Sequence, residues 1–262
     1  MVKSIYTPAS GALAAEKSME VIANNLANIN TVGFKGDQVT FKKMLAEPEK
    51  YYQTPFPPAE YKTDYSEVLP LKGNEINYVG VDGVHRDFTQ GPQVITNNSL
   101  DLMIEGDGFF AVSTPEGMRY TRSGDLTLNQ DGILVTKAGD PIQGENGAIY
   151  VRGHEFSVND MGDVSVGGRF RDRIAVFAFD KPEQLERVGN NYYFYGGSET
   201  EMRRSEDSQI FQGSLEGSNV NAMRNLTDLI LTHRSYEAYN KAIKNYDSMM
   251  EKANNELGQV RG

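Results

Sequence analysis

Apolar residues near the start of the chain recur at alternating spacings of three and four. Ala12, Ala15, Met19, Ile22, Leu26 and Ile29 make one seam, the a/d pattern of a helix that packs lengthwise on another helix. Thr31-Val32-Gly33 ends the run, with Gly33 placed to serve as a left-handed C-cap. The other end of the chain repeats the pattern over a longer stretch. From Asn219 to Leu257 there is no Gly and no Pro, and Leu229, Thr232, Tyr236, Tyr239, Ile243, Tyr246, Met250, Ala253 and Leu257 keep the alternation. Leu226 and Ile230 widen the stripe at its start. A helix over this stretch reaches about 55 Å at 1.5 Å per residue, and Ser218 or Asn219 is its expected N-cap.

Between the two stripes the pattern changes to short apolar runs broken by turn signals. Leu100–Ile104, Phe109–Val112, Leu126–Leu128, Ile133–Val135, Ile174–Phe179 and Tyr192–Tyr195 read as strands, with Asp82-Gly83, Glu116-Gly117 and Asp131-Gly132 as turns. Short strands with close turns predict an antiparallel β domain. Residues 36–80 match neither pattern. Pro48, Pro55, Pro57, Pro58 and Pro70 lie among tyrosines and charges, which precludes a long helix and predicts an extended connector. The expected fold class is α+β. Its parts are an N-terminal helix within 1–35, a connector over 36–80, a β domain over 81–217 and a C-terminal helix within 218–262.

Composition narrows the functional classes. The 262 residues carry 26 Lys and Arg against 36 Asp and Glu, for a net charge of -10. An acidic chain without a basic block is a poor partner for nucleic acid, whose phosphates supply most of the binding energy. There are no cysteines, which removes disulfides, thiolate nucleophiles and cysteine metal sites. No apolar run approaches the roughly 18 residues of a spanning helix, so no membrane insertion is expected. Lys3 is followed by no continuous apolar stretch before Glu16, Lys17 and Glu20, so no cleaved signal peptide is expected.

Catalytic chemistry finds little support. His85, His154 and His233 show no metal-ligand spacing. Asn129-Gln130-Asp131-Gly132 faintly resembles a calcium loop, but Thr127 and Ala138 stand where carboxylates are needed. A hairpin turn is the better account. Glu105 and Asp107, beside Phe109 and Phe110, are the carboxylate pair to test for glycoside chemistry. No metal or cofactor is expected.

Asn24, Asn25, Asn28 and Asn30 crowd the end of the first stripe, although asparagine is a poor helix-interior residue. Their amides, with the small Ala9, Ala14, Ala23 and Ala27 around the seam, suit a helix packed on more than one side. By pattern alone, an intramolecular helix pair and packing between molecules are both open.

Three stretches carry a family resemblance. ANNLANINTVGFK (23–35), LDLMIEGDGFFAV (100–112) with YTRSGDLTLNQDGILVTKAGDPI (120–142), and LEGSNVNAMRNLTDLILTHRSYEAYNKAIKNYDSMM (215–250) resemble, in order, signatures of the bacterial flagellar axial proteins, the rod and hook family. Within it, LEGSNVNAM and GDPIQGENGAIYV (139–151) are most similar to the proximal rod form, then to the distal one. The resemblance implies a structural subunit without catalysis or cofactor. It implies terminal helices that pair as a coiled coil lining a hollow tube, with the β domain outside. It also implies export through the flagellar type III apparatus, polymerisation in the periplasm, and partners that are other rod subunits and copies of the chain. The interface residues it points to are Ala12, Met19, Ile22, Asn24, Asn25, Leu26, Asn28, Ile29, Leu229, Tyr236, Tyr239, Ile243, Tyr246 and Met250. The rival classes are a carbohydrate-active β enzyme and a monomeric binding module.

Overall fold

Both terminal stripes form helices. The structure is a computed structural model and describes residues 3–45, 77–151, 156–198, 201–205 and 208–259. Helix α1 spans Lys3–Ala27 and helix α2 spans Ala222–Gln259. The described elements between them are strands, apart from one helical turn at Pro182–Gln184. The fold class is α+β, as the patterning predicts.

The helix ends differ from the expected ones. Asn28 finishes α1: its side-chain Nδ2 donates to the Asn24 carbonyl at 2.9 Å, and its Oδ1 accepts the Thr31 hydroxyl at 3.2 Å. The helix therefore stops at Ala27, and Gly33 is not its cap. Asn221 is the N-cap of α2, its Oδ1 accepting the Arg224 N–H at 3.0 Å. Ser218 and Asn219, the expected caps, lie outside the helix.

The chain divides into two units. Among the described residues, the first gathers 3–21, 39–45, 77–84 and 227–259. Here a Cβ on Gly11 would lie 2.7 Å from the Tyr239 ring, so α1 and α2 meet closely at this point. Ala12 and Ala15 are buried. Strands Asp37–Leu45 and Asn77–Arg86 pair as a two-stranded ribbon. The Thr40 hydroxyl donates to the Gly83 carbonyl, and Lys42 pairs with Asp82 at 2.8 Å. Asp82-Gly83 is thus inside a strand rather than at a turn. Val79, Val81 and Val84 flank it, and their β preference carries the strand through the glycine. Residues 46–76 of the expected connector lie outside the described residues.

The second unit gathers residues 22–38 and 85–226. Its centre is a six-stranded antiparallel sheet in the order Leu185–Arg187, Tyr193–Tyr195, Gly117–Thr121, Phe109–Thr114, Val176–Phe179 and Met202–Arg204. Phe109–Thr114 alternates its side chains between two cores. Phe110 and Val112 join Leu102, Ile104, Leu134, Ile142, Val164 and Ile210 on one side. Phe109 and Ala111 join Tyr120, Tyr193 and Tyr195 on the other, with the Phe109 and Tyr193 rings 5.7 Å apart.

Two hairpin turns share one design. The Asn129 side-chain oxygen accepts the N–H groups of Asp131 and Ile133, and that of Asn159 accepts those of Met161 and Asp163. Gly132 and Gly162 close the turns at φ of 75° and 83°. Asn129 therefore serves a hairpin, as the sequence favoured.

Candidate functional site

The NINTVGFK stretch packs against its own chain. From the last turn of α1, residues 25–37 run as a strap within the second unit, and its buried groups meet specific partners. Asn25 is buried, with its Nδ2 donating to the Asp37 carbonyl at 2.8 Å and its Oδ1 accepting the Asp37 N–H at 2.9 Å. Gly33 adopts φ of 64°, and a Cβ there would lie 2.5 Å from the Arg122 backbone. Left-handed backbone and close approach both demand glycine. Its N–H donates to the Glu216 carbonyl at 2.8 Å. Phe34 is buried beneath the Arg187 guanidinium, whose carbon lies 4.4 Å from the ring centre.

Lys35 reaches furthest in, with no exposed surface. Its Nζ donates to Glu216 Oε1 at 2.6 Å and to the Thr89 carbonyl at 2.8 Å. Glu216, also fully buried, takes Arg122 Nη1 on Oε2 at 3.4 Å and the Gly91 N–H on Oε1 at 2.9 Å. Arg122 donates through Nη2 to the Gly106 carbonyl at 2.7 Å and lies over Phe109. Burial pulls the Lys35 ammonium and the Arg122 guanidinium below their ordinary pKa ranges, and the Glu216 charge draws both back up.

A second ionic group flanks the first. Asp37 receives Arg86 Nε at 2.9 Å and Arg187 Nη1 at 3.2 Å, while Arg187 Nη2 donates to the Lys35 carbonyl at 2.6 Å. Asn219 closes the far side, accepting the Gly36 N–H at 2.8 Å and donating to the Asp87 carbonyl at 2.8 Å. The cluster joins three distant parts of the chain by charge-assisted hydrogen bonds. Removing one member of such a buried pair costs about 3–5 kcal/mol, because the other charge is left uncompensated.

The sequence-predicted interface residues have several fates. Asn25 is committed to Asp37 within the chain, which answers why an amide stands there. Asn28 caps α1, and Asn24 is exposed. Asn24, Asn28 and Asn30 line a groove of about 720 Å³ together with Lys137, Asn190 and Asn191. Ile22, Leu26 and Ile29 are half-buried in the second unit. In the first unit, Met19, Leu229, Tyr236, Ile243 and Met250 are half-buried, and Tyr239 and Tyr246 are each 37% exposed. Glu105 and Asp107 are both exposed. His85 and His233 are exposed, and His154 lies outside the described residues. Lys35, Arg122 and Glu216 escaped the sequence reading. A lysine directly after an apolar-glycine run was the one available signal.

These contacts join segments that also match known proteins. Residues 5–35 match the flagella basal body rod protein family, 103–166 the D1 domain of the flagellar hook protein FlgE/F/G family, and 212–256 the C-terminal part of the flagellar basal body rod FlgEFG family. Lys35, Arg122 and Glu216 come one from each. The flagellar basal-body rod protein FlgF of Caulobacter vibrioides is 33% identical over 263 residues, covering 99% of this chain and 100% of the relative. FlgG of Bacillus subtilis is 29% identical over 272 residues, covering 96% and 97%. FlgF of Rhizobium meliloti is 27% identical over 264 residues, covering all of both chains. The chain belongs to the flagellar basal-body rod proteins, a family of structural components of the flagellar basal body.

Proposed function

We propose that the chain is a rod subunit of the proximal type, which polymerises with copies of itself and other rod proteins into a hollow shaft that passes torque to the hook. The full-length similarity to a FlgF-named rod protein is the observation that carries this reading. The exposed apolar side chains of the helices support it: Leu13 at 66%, Ile230 at 48%, Leu231 at 55% and Met249 at 65%. In this reading α1 and α2 pair as a coiled coil, and neighbouring subunits cover the remaining stripes. The exposed amides of Asn24 and Asn30, on the groove wall, face those neighbours in this reading, with Asn28 beside them. The helices within 1–35 and 218–262 form the tube, residues 36–80 connect, and the β domain of 81–217 lies outside. The subunit acts mechanically, with no catalytic step, in the periplasmic stretch of the basal body, after export through the flagellar apparatus.

Deleting the gene in its source organism and imaging purified basal bodies by electron microscopy tests this. A rod cut short, with no hook or filament, is expected, and a short stub marks the proximal position. Intact, rotating flagella overturn it.

A further inference from the structure

The apolar cores of the second unit close without the strap. The larger cluster draws its buried residues from Leu102 to Ile210, and the aromatic cluster from Phe109 to Tyr195, with Phe88 and Met202 beside it. Neither includes a residue of 25–37 or 214–221. Besides the pairing of Ser214–Glu216 with Gln93–Ile95 and the Gly217 N–H on the Pro92 carbonyl, those two segments are held by charged and amide groups that depend on one another. Glu216 answers Lys35, Arg122 and the Gly91 N–H together. The Lys35 carbonyl takes Arg187, which also pairs with Asp37, whose backbone Asn25 holds. Gly36 is held by Asn219 from the other segment.

We propose that residues 25–37 and 214–221 form one strap that opens and closes as a single cooperative unit over a β core that stays folded, with Glu216 as its clasp. Releasing one segment alone leaves the charge of the other buried without its partner, a state strongly disfavoured in a low-dielectric interior. Releasing both returns Lys35 and Glu216 to water and leaves Arg122 its contacts with Gly106 and Phe109. Half-open states are therefore skipped. The strap includes the last turn of α1 and leads directly into α2, so the bases of both helices are fixed or freed by the same event. Glu216 is the last of the three charged residues along the chain, so closure waits for the C-terminal segment. The device is a property of this fold and does not depend on the rod reading.

Native-state hydrogen exchange on the full-length chain tests it. The N–H groups of Gly33, Gly36, Asp37, Gly91 and Gly217 each donate to a partner across the strap or beneath it, while those of Leu134, Ile142 and Ile174 are bonded within the β core. With rising sub-denaturing urea, the five strap amides are expected to converge on one opening equilibrium, populated about ten-fold or more above that of the three core amides. Glu216→Gln is expected to raise all five together by about a further hundred-fold or more, with the core amides still the slowest to exchange. Five separate equilibria in the unmodified chain overturn the proposal. So does exchange of the strap only with the core, or a Glu216→Gln chain whose core amides are lost as well. Intact flagella in the deletion strain would sink the rod reading and leave the exchange result standing.

Discussion

The helical stripes and the strap invert the usual placement of side chains. On the helices of the first unit, large apolar residues such as Leu13 and Met249 face solvent. Beneath the strap of the second unit, Lys35, Arg122 and Glu216 are buried. Apolar surface attracts any apolar surface, so a stripe left open suits contacts made with other molecules. A buried charge accepts only a partner of the right sign at the right distance, so the strap specifies a single arrangement of its own chain. Asn24 and Asn25 show the same contrast one residue apart. The first is open to solvent, and the second is closed on Asp37.

The contrast breaks most severely at Glu216. Glu216→Leu is expected to cost about 3–5 kcal/mol in urea denaturation, because two buried cations lose their counter-charge. Replacing Lys35 and Arg122 by Met in the same chain should recover much of that loss, since apolar side chains of similar size often substitute for a buried ionic group without penalty. A triple variant no more stable than Glu216→Leu would show that the cluster does not act through charge.

Asn25→Leu comes next. It strands the Asp37 N–H and carbonyl and should cost about 1–3 kcal/mol. Motility should fall through the loosened strap, while the circular dichroism of the β domain stays near that of the unmodified chain. Normal motility and unchanged stability together would remove Asn25 from the argument.

Tyr192 sharpens the comparison from within the β core. Its hydroxyl contacts Thr136 and donates to Asp140, and burial first of all pushes its pKa from 10.0 up to about 12. A raised folded pKa means that the folded state holds its proton more tightly than the unfolded one. That stabilisation is complete below pH 10 and is lost as pH rises towards about 12. Tyr192→Phe should therefore lose less stability than the unmodified chain across that window in a thermal melt series. Equal slopes would count against the burial argument.

The smallest effect on stability belongs to the exposed apolar surface of α2 beside its stripe. Leu231→Glu, at a position 55% exposed, should change unfolding free energy by no more than about 0.5 kcal/mol. Under the rod reading it should nonetheless abolish motility on soft agar. Full motility would show that this face meets no neighbour.

The sequence by itself determined the helices and the strand-rich middle, because each has a repeating signal. Spacings of three and four place apolar residues along one face of α2 whatever surrounds it, and the short runs at Phe109 and Leu126 carry β preference locally. Asp131-Gly132 was legible as a turn for the same reason. Only the tertiary structure decided the rest. Lys35 and Glu216 are 181 residues apart and Arg122 and Glu216 are 94 apart, and isolated charges carry no period that would announce a partner. The short strands Gln143–Gly144 and Met202–Arg204 are too brief to show alternation. Which asparagine is spent within the chain depends on where Asp37 returns to the end of α1, a fact of the folded path that no local pattern contains.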